Sequence, residues 1–107
     1  MCLDGLSPLI AGRFKGHRLI FAFDTGASRS VLYPPFYKRY EDEIRSKYKP
    51  HVERVTGAGG YRQINGYLGE NMVIEFAGKD TRFRRIPIHT KPTNERSRYL
   101  YGNIGRI

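Results

Sequence analysis

The order of apolar and polar positions divides the chain into short β-strands and one helical segment. The run Leu19–Phe23 is almost continuously apolar, which is typical of a strand buried on both faces. Shorter alternating or apolar runs recur along the chain, separated by turns that contain glycine. The pattern predicts strands at residues 7–14, 19–23, 30–32, 52–55, 63–76, 82–90 and 99–101. We therefore expect a mainly β fold built as a small closed or folded-over sheet.

One segment has a helical period instead. Large apolar residues recur at three- and four-residue spacing from Phe36 to Tyr48, and charged residues occupy the other side of the same stretch. Pro35 suits the first turn of a helix, and Pro50 ends the segment. The spacing predicts one amphipathic packing helix at about residues 35–47.

Length and composition fit one compact domain. The chain has 107 residues, of which 39% are hydrophobic and 27% charged, and we take residues 1–107 as a single domain. No segment is long and apolar enough to span a membrane, and the N-terminus lacks the features of a signal peptide. Cys2 is the only cysteine, so no internal disulfide forms. The compartment stays open between periplasm and cytoplasm.

The charge balance is strongly basic but dispersed. Nineteen Lys and Arg against ten Asp and Glu give a formal net charge of +9. Such an excess raises nucleic acid as a partner. The basic residues are spread along the chain, however, and the densest groups, near Arg84 and Arg98, are short. A solvated basic surface is the favoured interpretation, and we do not expect nucleic acid as a partner.

The candidate for chemistry is an acid at the end of the most apolar strand. Asp24 follows directly on Leu19–Phe23, where a carboxylate loses hydration and its charged form becomes costly. Thr25 and Ser28 offer hydroxyl groups, and Gly26 permits a tight turn after the acid. The alternative is that Asp24 only caps a turn, as Asp-x-Gly sequences often do. The acid in this context favours a catalytic role.

Three segments together resemble one protein family. The segment from Phe21 to Leu32, with Ala27 after Asp-Thr-Gly, resembles the active-site segment of retropepsin-like (retroviral-type) aspartic proteases, in the form that retroviral and bacterial members share. Thr56–Tyr61 is similar to the glycine-rich flap of that family. Gly102–Arg106 is similar to its later hydrophobic-glycine motif, which in bacterial members often contains Gly-Asn-Ile-Gly.

The resemblance implies a fold and a set of site residues. The fold would be a retropepsin-like closed β-barrel, an acid-protease half-domain, with the helix at about 35–47 inserted. The implied site residues are Asp24 as the catalytic acid, Thr25, Gly26, Ala27 and Ser28 in the active-site loop, Gly57, Ala58, Gly59 and Gly60 in the flap, and Ile104, Gly105 and Arg106 in the supporting motif. No metal or cofactor is implied, and the three scattered histidines have no ligand spacing.

The implied activity is that of an aspartic endopeptidase, a peptide hydrolase. This chemistry needs two carboxylates that share a proton around one water. Asp4, Asp42 and Asp80 lack an Asp-Thr-Gly or Asp-Ser-Gly context, so the second carboxylate must be Asp24 of another copy. We therefore expect a homodimer with a peptide or protein substrate.

The match departs from the family in two places. Retroviral members carry an acid soon after Asp-Thr-Gly-Ala that pairs with the arginine of the later motif, whereas Ser28-Arg29 occupies that stretch here. Arg106 is therefore expected without its usual partner. Family members also continue beyond this motif, so we expect a domain truncated at its C-terminus. Two alternatives stay open: a catalytically silent retropepsin-fold module for peptide binding or dimerisation, and a basic β domain that binds nucleic acid.

Overall fold

The computed structural model describes residues 8–24, 29–57, 60–93 and 95–105, apart from the side chains of residues 55–57, 61 and 62. Seven strands, two short helices and a 3₁₀ turn lie within these residues. They are β1 (Leu9–Phe14), β2 (His17–Phe23), β3 (Val31–Leu32), α1 (Pro34–Arg39), α2 (Glu41–Lys47), β4 (Lys49–Gly57), β5 (Gly60–Phe76), β6 (Lys79–His89), the 3₁₀ turn (Arg96–Arg98) and β7 (Gly102–Ile104).

Six strands close into a barrel. The order around the ring is β1-β2-β7-β3-β6-β5, and β5 pairs again with β1 through Gly12↔Phe76 and Arg13↔Glu75. β7 runs parallel to β2 and antiparallel to β3, so it lies between the two strands that flank Asp24. The expected mainly β fold with a closed sheet is confirmed. Closure removes the free sheet edges that would otherwise be open to pairing.

The remaining strand extends the sheet as an arm. β4 pairs with β5 in an antiparallel ladder that runs from Lys49↔Leu68 to Gly57↔Gly60. β5 is the longest strand, and its second half pairs with β1 in the barrel wall while its first half pairs with β4. We call the paired segments 49–57 and 60–68 the flap arm. Its tip is the position at which the sequence predicts a flap.

A backbone irregularity bends the β5–β6 hairpin. Asn71 has φ of 53°, in the left-handed region, and it lies between the paired positions Glu70↔Arg85 and Met72↔Phe83. Normal alternation would place Gly69 and Met72 on opposite faces. Instead, a Cβ atom built at Gly69 would contact the buried Met72 side chain. The irregularity at Asn71 therefore reverses the alternation of side chains along β5.

The core is mainly aliphatic inside the barrel, with Phe21 packed on Phe76, and aromatic where the helices pack on it. Leu19, Phe21, Ile74, Ile86, Ile88 and Ile104 are completely buried. Phe14, Phe36 and Tyr40 form a cluster with ring centroids 4.9–5.1 Å apart, which attaches α1 to the β1–β2 hairpin. The apolar periodicity therefore predicted the buried face of the helical segment correctly.

The single expected helix is two helices. Tyr40 has φ of −120° and ψ of 29°, and it ends α1 and begins α2. Its hydroxyl lies 3.0 Å from His17 Nδ1 and 3.4 Å from the Phe14 carbonyl oxygen. Burial raises the pKa of the Tyr40 phenol above its ordinary value of 10.0. The break lets this ring enter the aromatic cluster. One continuous helix and two helices separated at Tyr40 have the same apolar spacing.

Two further predictions of local structure are wrong. The last strand is Gly102–Ile104 rather than residues 99–101, because Tyr99–Tyr101 follow the 3₁₀ turn as a turn and bends. Tyr99 is 69% exposed, whereas Gly102 and Ile104 are buried between β2 and β3. The second long strand begins at Lys79 rather than at the predicted residue 82, because the turn before it is Ala77-Gly78.

Candidate active site

Asp24 lies at the end of a barrel strand. It follows Phe23, the last residue of β2, and its side chain is half-buried. Its backbone N–H donates a hydrogen bond of 2.8 Å to the carbonyl oxygen of Ile104. Ile104 is completely buried and pairs with Phe23 in the parallel β2–β7 ladder. The acid is therefore held at the rim of the core rather than on an open surface.

One peptide group fixes both ends of the segment after Asp24. The Ile104 carbonyl accepts from Asp24, and the adjacent Gly105 N–H donates to Ser30 Oγ at 2.9 Å. No more than about 8 Å separates the Asp24 nitrogen from Ser30 Oγ, because the carbonyl and the N–H belong to the same peptide. β7 thus holds the two ends of the 24–30 segment together. We call this peptide the Ile104–Gly105 clamp.

The other expected site residues divide into two groups. Thr25, Gly26, Ala27, Ser28, Ala58, Gly59 and Arg106 lie outside the described residues. Gly57 and Gly60 are paired at the tip of the flap arm, and Gly60 has φ of 104°, a conformation that glycine adopts without strain. Ile104 and Gly105 form the clamp. The structure therefore brings the supporting motif against Asp24.

An ion-pair network connects the 24–30 segment to the flap arm. Arg29 Nη2 lies 2.9 Å from Glu53 Oε2 on β4, and the other carboxylate oxygen of Glu53 lies 3.1 Å from His89 Nε2 at the end of β6. Glu53 and His89 are largely buried, with side chains 17% and 10% exposed, whereas Arg29 is 72% exposed. Three elements far apart in sequence therefore meet at one carboxylate.

Sequence reasoning missed Glu53 and His89 as site residues. Arg29 could have indicated Glu53, because it is a basic residue at a position where retroviral members carry an acid, and an arginine there can pair with an acidic neighbour. The position of that neighbour depends on the pairing of β4, which the local pattern does not fix. His89, one of the three histidines without ligand spacing, contacts Glu53 at the edge of this site.

A small cavity lies at this network. It has a volume of about 180 Å³ and is lined by Arg29, Ser30, Val31, Glu53, Pro87 and His89. The Nδ1 atom of His89 is buried and has no hydrogen-bond partner among the described residues. A second, larger cavity of about 1060 Å³ shares Arg29, Ser30 and Pro87 with the first. The two cavities are therefore adjacent, and both border the segment after Asp24.

The described residues offer no metal centre. Across residues 8–24, 29–57, 60–93 and 95–105, no group of three or more His, Cys, Asp or Glu side chains could hold a metal ion. Among the same residues, none of the helices has the length and apolarity that a membrane crossing requires. What the site does offer is a carboxylate at a strand end, a carboxylate–imidazole–guanidinium network and an arm of paired strands.

The chain matches no protein-family model, and no curated protein matches it in sequence. The class that the fold defines is a closed six-stranded β-barrel with two short helices and an attached β-arm.

Proposed function

We propose that this protein is an aspartic endopeptidase of the retropepsin-like type that acts as a homodimer. The observation that carries the proposal is the position of Asp24. It stands at the end of a buried strand, and the clamp holds both ends of the segment that follows it. This arrangement fixes a carboxylate at the rim of a barrel, where a second copy can approach it.

The proposed mechanism divides the work between two copies of Asp24. Two carboxyl groups close together cannot both ionise readily, so the pair keeps one proton. The ionised group takes a proton from a water molecule, and the protonated group donates to the oxygen of the scissile carbonyl. The water oxygen then attacks the carbonyl carbon and gives a tetrahedral diol. The C–N bond of the diol breaks as one carboxyl group donates a proton to the leaving nitrogen and the other takes a proton from a diol hydroxyl, so an amine and a carboxylic acid are released and no covalent intermediate with the protein forms. Neither a metal nor a cofactor takes part.

The flap arm supplies the substrate-binding surface in this proposal. An extended peptide would lie between the arm and the rim of the barrel and add to the arm as a strand. The paired glycines at the tip, Gly57 and Gly60, leave room for a substrate backbone to approach. Glu53 holds the arm against Arg29 beside the cleft. The arm would then close over the peptide and exclude water from the reaction.

The test is cleavage of an unstructured protein at mildly acidic pH by the chain and by Asp24→Asn. We expect a loss of at least about 1000-fold in kcat/KM, since the amide cannot serve as a base. Asp80→Asn is the matched control, because it makes the same chemical change at an exposed position of β6. The control variant should keep full activity. Sensitivity to pepstatin would give further support.

Equal activity of the chain and of Asp24→Asn would contradict the proposal. A chain that folds and forms dimers but cleaves nothing would favour the catalytically silent module of the same fold.

A further inference from the structure

The larger of the two cavities is a basic groove. It has a volume of about 1060 Å³ and is lined by four arginines, Arg29, Arg82, Arg84 and Arg85. We call it the arginine groove. Among the residues that the structure describes, no carboxylate side chain lines it. All four arginines are exposed. Arg29 is paired with Glu53, and the guanidinium groups of Arg82, Arg84 and Arg85 are accessible to a ligand.

Asn71, the residue with the left-handed backbone, lines this groove together with Arg84 from the facing strand. Arg82 and Arg85 of β6 line the same concavity. Like charges gathered in a concave surface raise the local potential and attract anions. Guanidinium groups bind carboxylates in a two-pronged geometry that suits this role.

The groove also has an apolar component. Leu68 and Pro87 are paired across the β5–β6 ladder, and both line it together with Phe83. Phe83 is the only aromatic side chain other than His51 among the described lining residues. Nucleic-acid surfaces usually add several aromatic rings on which bases stack. Arginines around a small apolar patch fit a peptide that carries both acidic and apolar side chains.

The groove begins next to the proposed catalytic residue. Arg29 and Ser30 line it, and Ser30 Oγ lies within about 8 Å of the Asp24 nitrogen through the clamp. An extended peptide advances about 3.3 Å per residue. A peptide that leaves the cleavage site in this direction would therefore reach the groove after two or three residues.

We propose that the arginine groove binds an acidic segment of the substrate, beginning two or three residues from the scissile bond. This inference rests on the proposed function, because it assigns the groove to the substrate of that same site. The preferred substrates would be peptides that carry several Asp or Glu residues on one side of the bond that is cut.

The test measures binding separately from cleavage. A fluorescent peptide with four Asp or Glu residues and its Asn/Gln counterpart are titrated by anisotropy into Asp24→Asn, which leaves the peptides intact. The acidic peptide should bind at least about tenfold more tightly at low salt, because each exposed ion pair changes an affinity by up to about fivefold. Combining Arg82→Gln, Arg84→Gln and Arg85→Gln in the same background should remove this difference.

The matched control combines Arg13→Gln, Arg18→Gln and Arg98→Gln. These three arginines are exposed and lie outside the groove. Their replacement lowers the net charge by the same amount as the groove variant does. The control should keep the preference for the acidic peptide. If both triple variants weaken binding of the acidic peptide equally, the preference comes from net charge alone and the proposal is overturned. Tighter binding of a single-stranded oligonucleotide of the same charge, lost in the groove variant, would overturn it in favour of nucleic acid.

Cleavage by the chain with Asp24 intact then separates the two proposals. If both peptides are cut with equal kcat/KM, and the groove variant changes neither value, the protease stands and the groove proposal fails. If the acidic peptide binds through the groove but neither peptide is cut, the acidic-peptide site stands and the proposed function fails.

Discussion

At the scale of single residues, Glu53 links parts of the chain that the sequence keeps apart. Its two carboxylate oxygens contact Arg29 and His89, which lie 24 and 36 residues away along the chain. The carboxylate is largely buried, so the loss of its charge would leave one acceptor oxygen in place of the two that the Arg29 guanidinium and the His89 imidazole contact. The position of the flap arm relative to the 24–30 segment therefore depends on this side chain.

We predict that Glu53→Gln loosens the flap arm more than it destabilises the fold. The pair with the exposed Arg29 contributes little to global stability, so the free energy of unfolding should fall by less than about 1 kcal/mol. The backbone amides of β4 should exchange with solvent several-fold faster, as measured by hydrogen exchange. Glu41→Gln is the control, since it breaks an ion pair with Arg45 four residues away within α2. Unchanged exchange in β4 would show that the network does not hold the arm.

Single residues also differ in how much the local sequence indicates about them. Asp24 became a candidate because it is an acid directly after an apolar strand. Glu53 lies between two exposed residues, Val52 and Arg54, in a strand that resembles many others. Nothing within a few residues of Glu53 indicates its partners. They follow from the pairing of β4 with β5 and of β5 with β6.

At the scale of elements, the short strand β7 beside Asp24 is tightly enclosed by its neighbours. β7 is three residues long and lies between β2 and β3. A Cβ atom at Gly102 would stand 2.6 Å from the Val31 carbonyl oxygen and 3.1 Å from the Leu32 and Phe21 side chains. The obstacle is backbone, which cannot move aside as a flexible side chain can. Glycine therefore allows β7 to approach β3 closely enough to position the clamp.

We predict that Gly102→Ala destabilises the chain by about 1–3 kcal/mol, the usual cost of forcing extra volume into a packed site. Urea unfolding followed by circular dichroism measures this change. Lys38→Ala, at an exposed position of α1, is the control and should stay within about 0.5 kcal/mol of the original chain. If Gly102→Ala unfolds at the same urea concentration as the control, the close approach of β7 and β3 does not limit stability.

The helical segment shows how one pattern serves two structures. The apolar spacing from Phe36 to Tyr48 is the same for one helix and for two helices that share a face. The choice between them is made at Tyr40, whose ring packs against Phe14 and whose hydroxyl contacts His17. Both partners belong to the β1–β2 hairpin. A contact with a distant element therefore decided a feature that the local pattern left undetermined.

At the scale of the whole molecule, the proposed chemistry requires more than one copy. The chain carries Asp-Thr-Gly once, and the proposal assigns one Asp24 to each half of the site. The dependence of activity on mixing therefore tests the arrangement directly. It also distinguishes a shared site from a site complete within one chain.

We predict that Asp24→Asn inhibits the unmodified chain when the two are mixed. With random pairing, an equimolar mixture should keep about half the activity of the same amount of unmodified chain alone, because the other half of its copies pair with inactive partners. Cleavage rates measured after equilibration check this value, and Asp80→Asn serves as the neutral additive. Activity that does not change on adding Asp24→Asn would place the whole site in a single chain.

The sequence by itself determined the mainly β character, the approximate positions of the first six strands, the buried face of the helical segment and the position of Asp24 after its strand. Each of these follows from the order of apolar, polar and turn-forming residues over short stretches, where the spacing of side chains is fixed by the backbone. Only the tertiary structure decided the closure of β5 on β1, the bend at Asn71, the break at Tyr40, the clamp beside Asp24 and the meeting of Arg29, Glu53 and His89. These features depend on which distant strands pair and how closely they approach, and no local pattern carries that information.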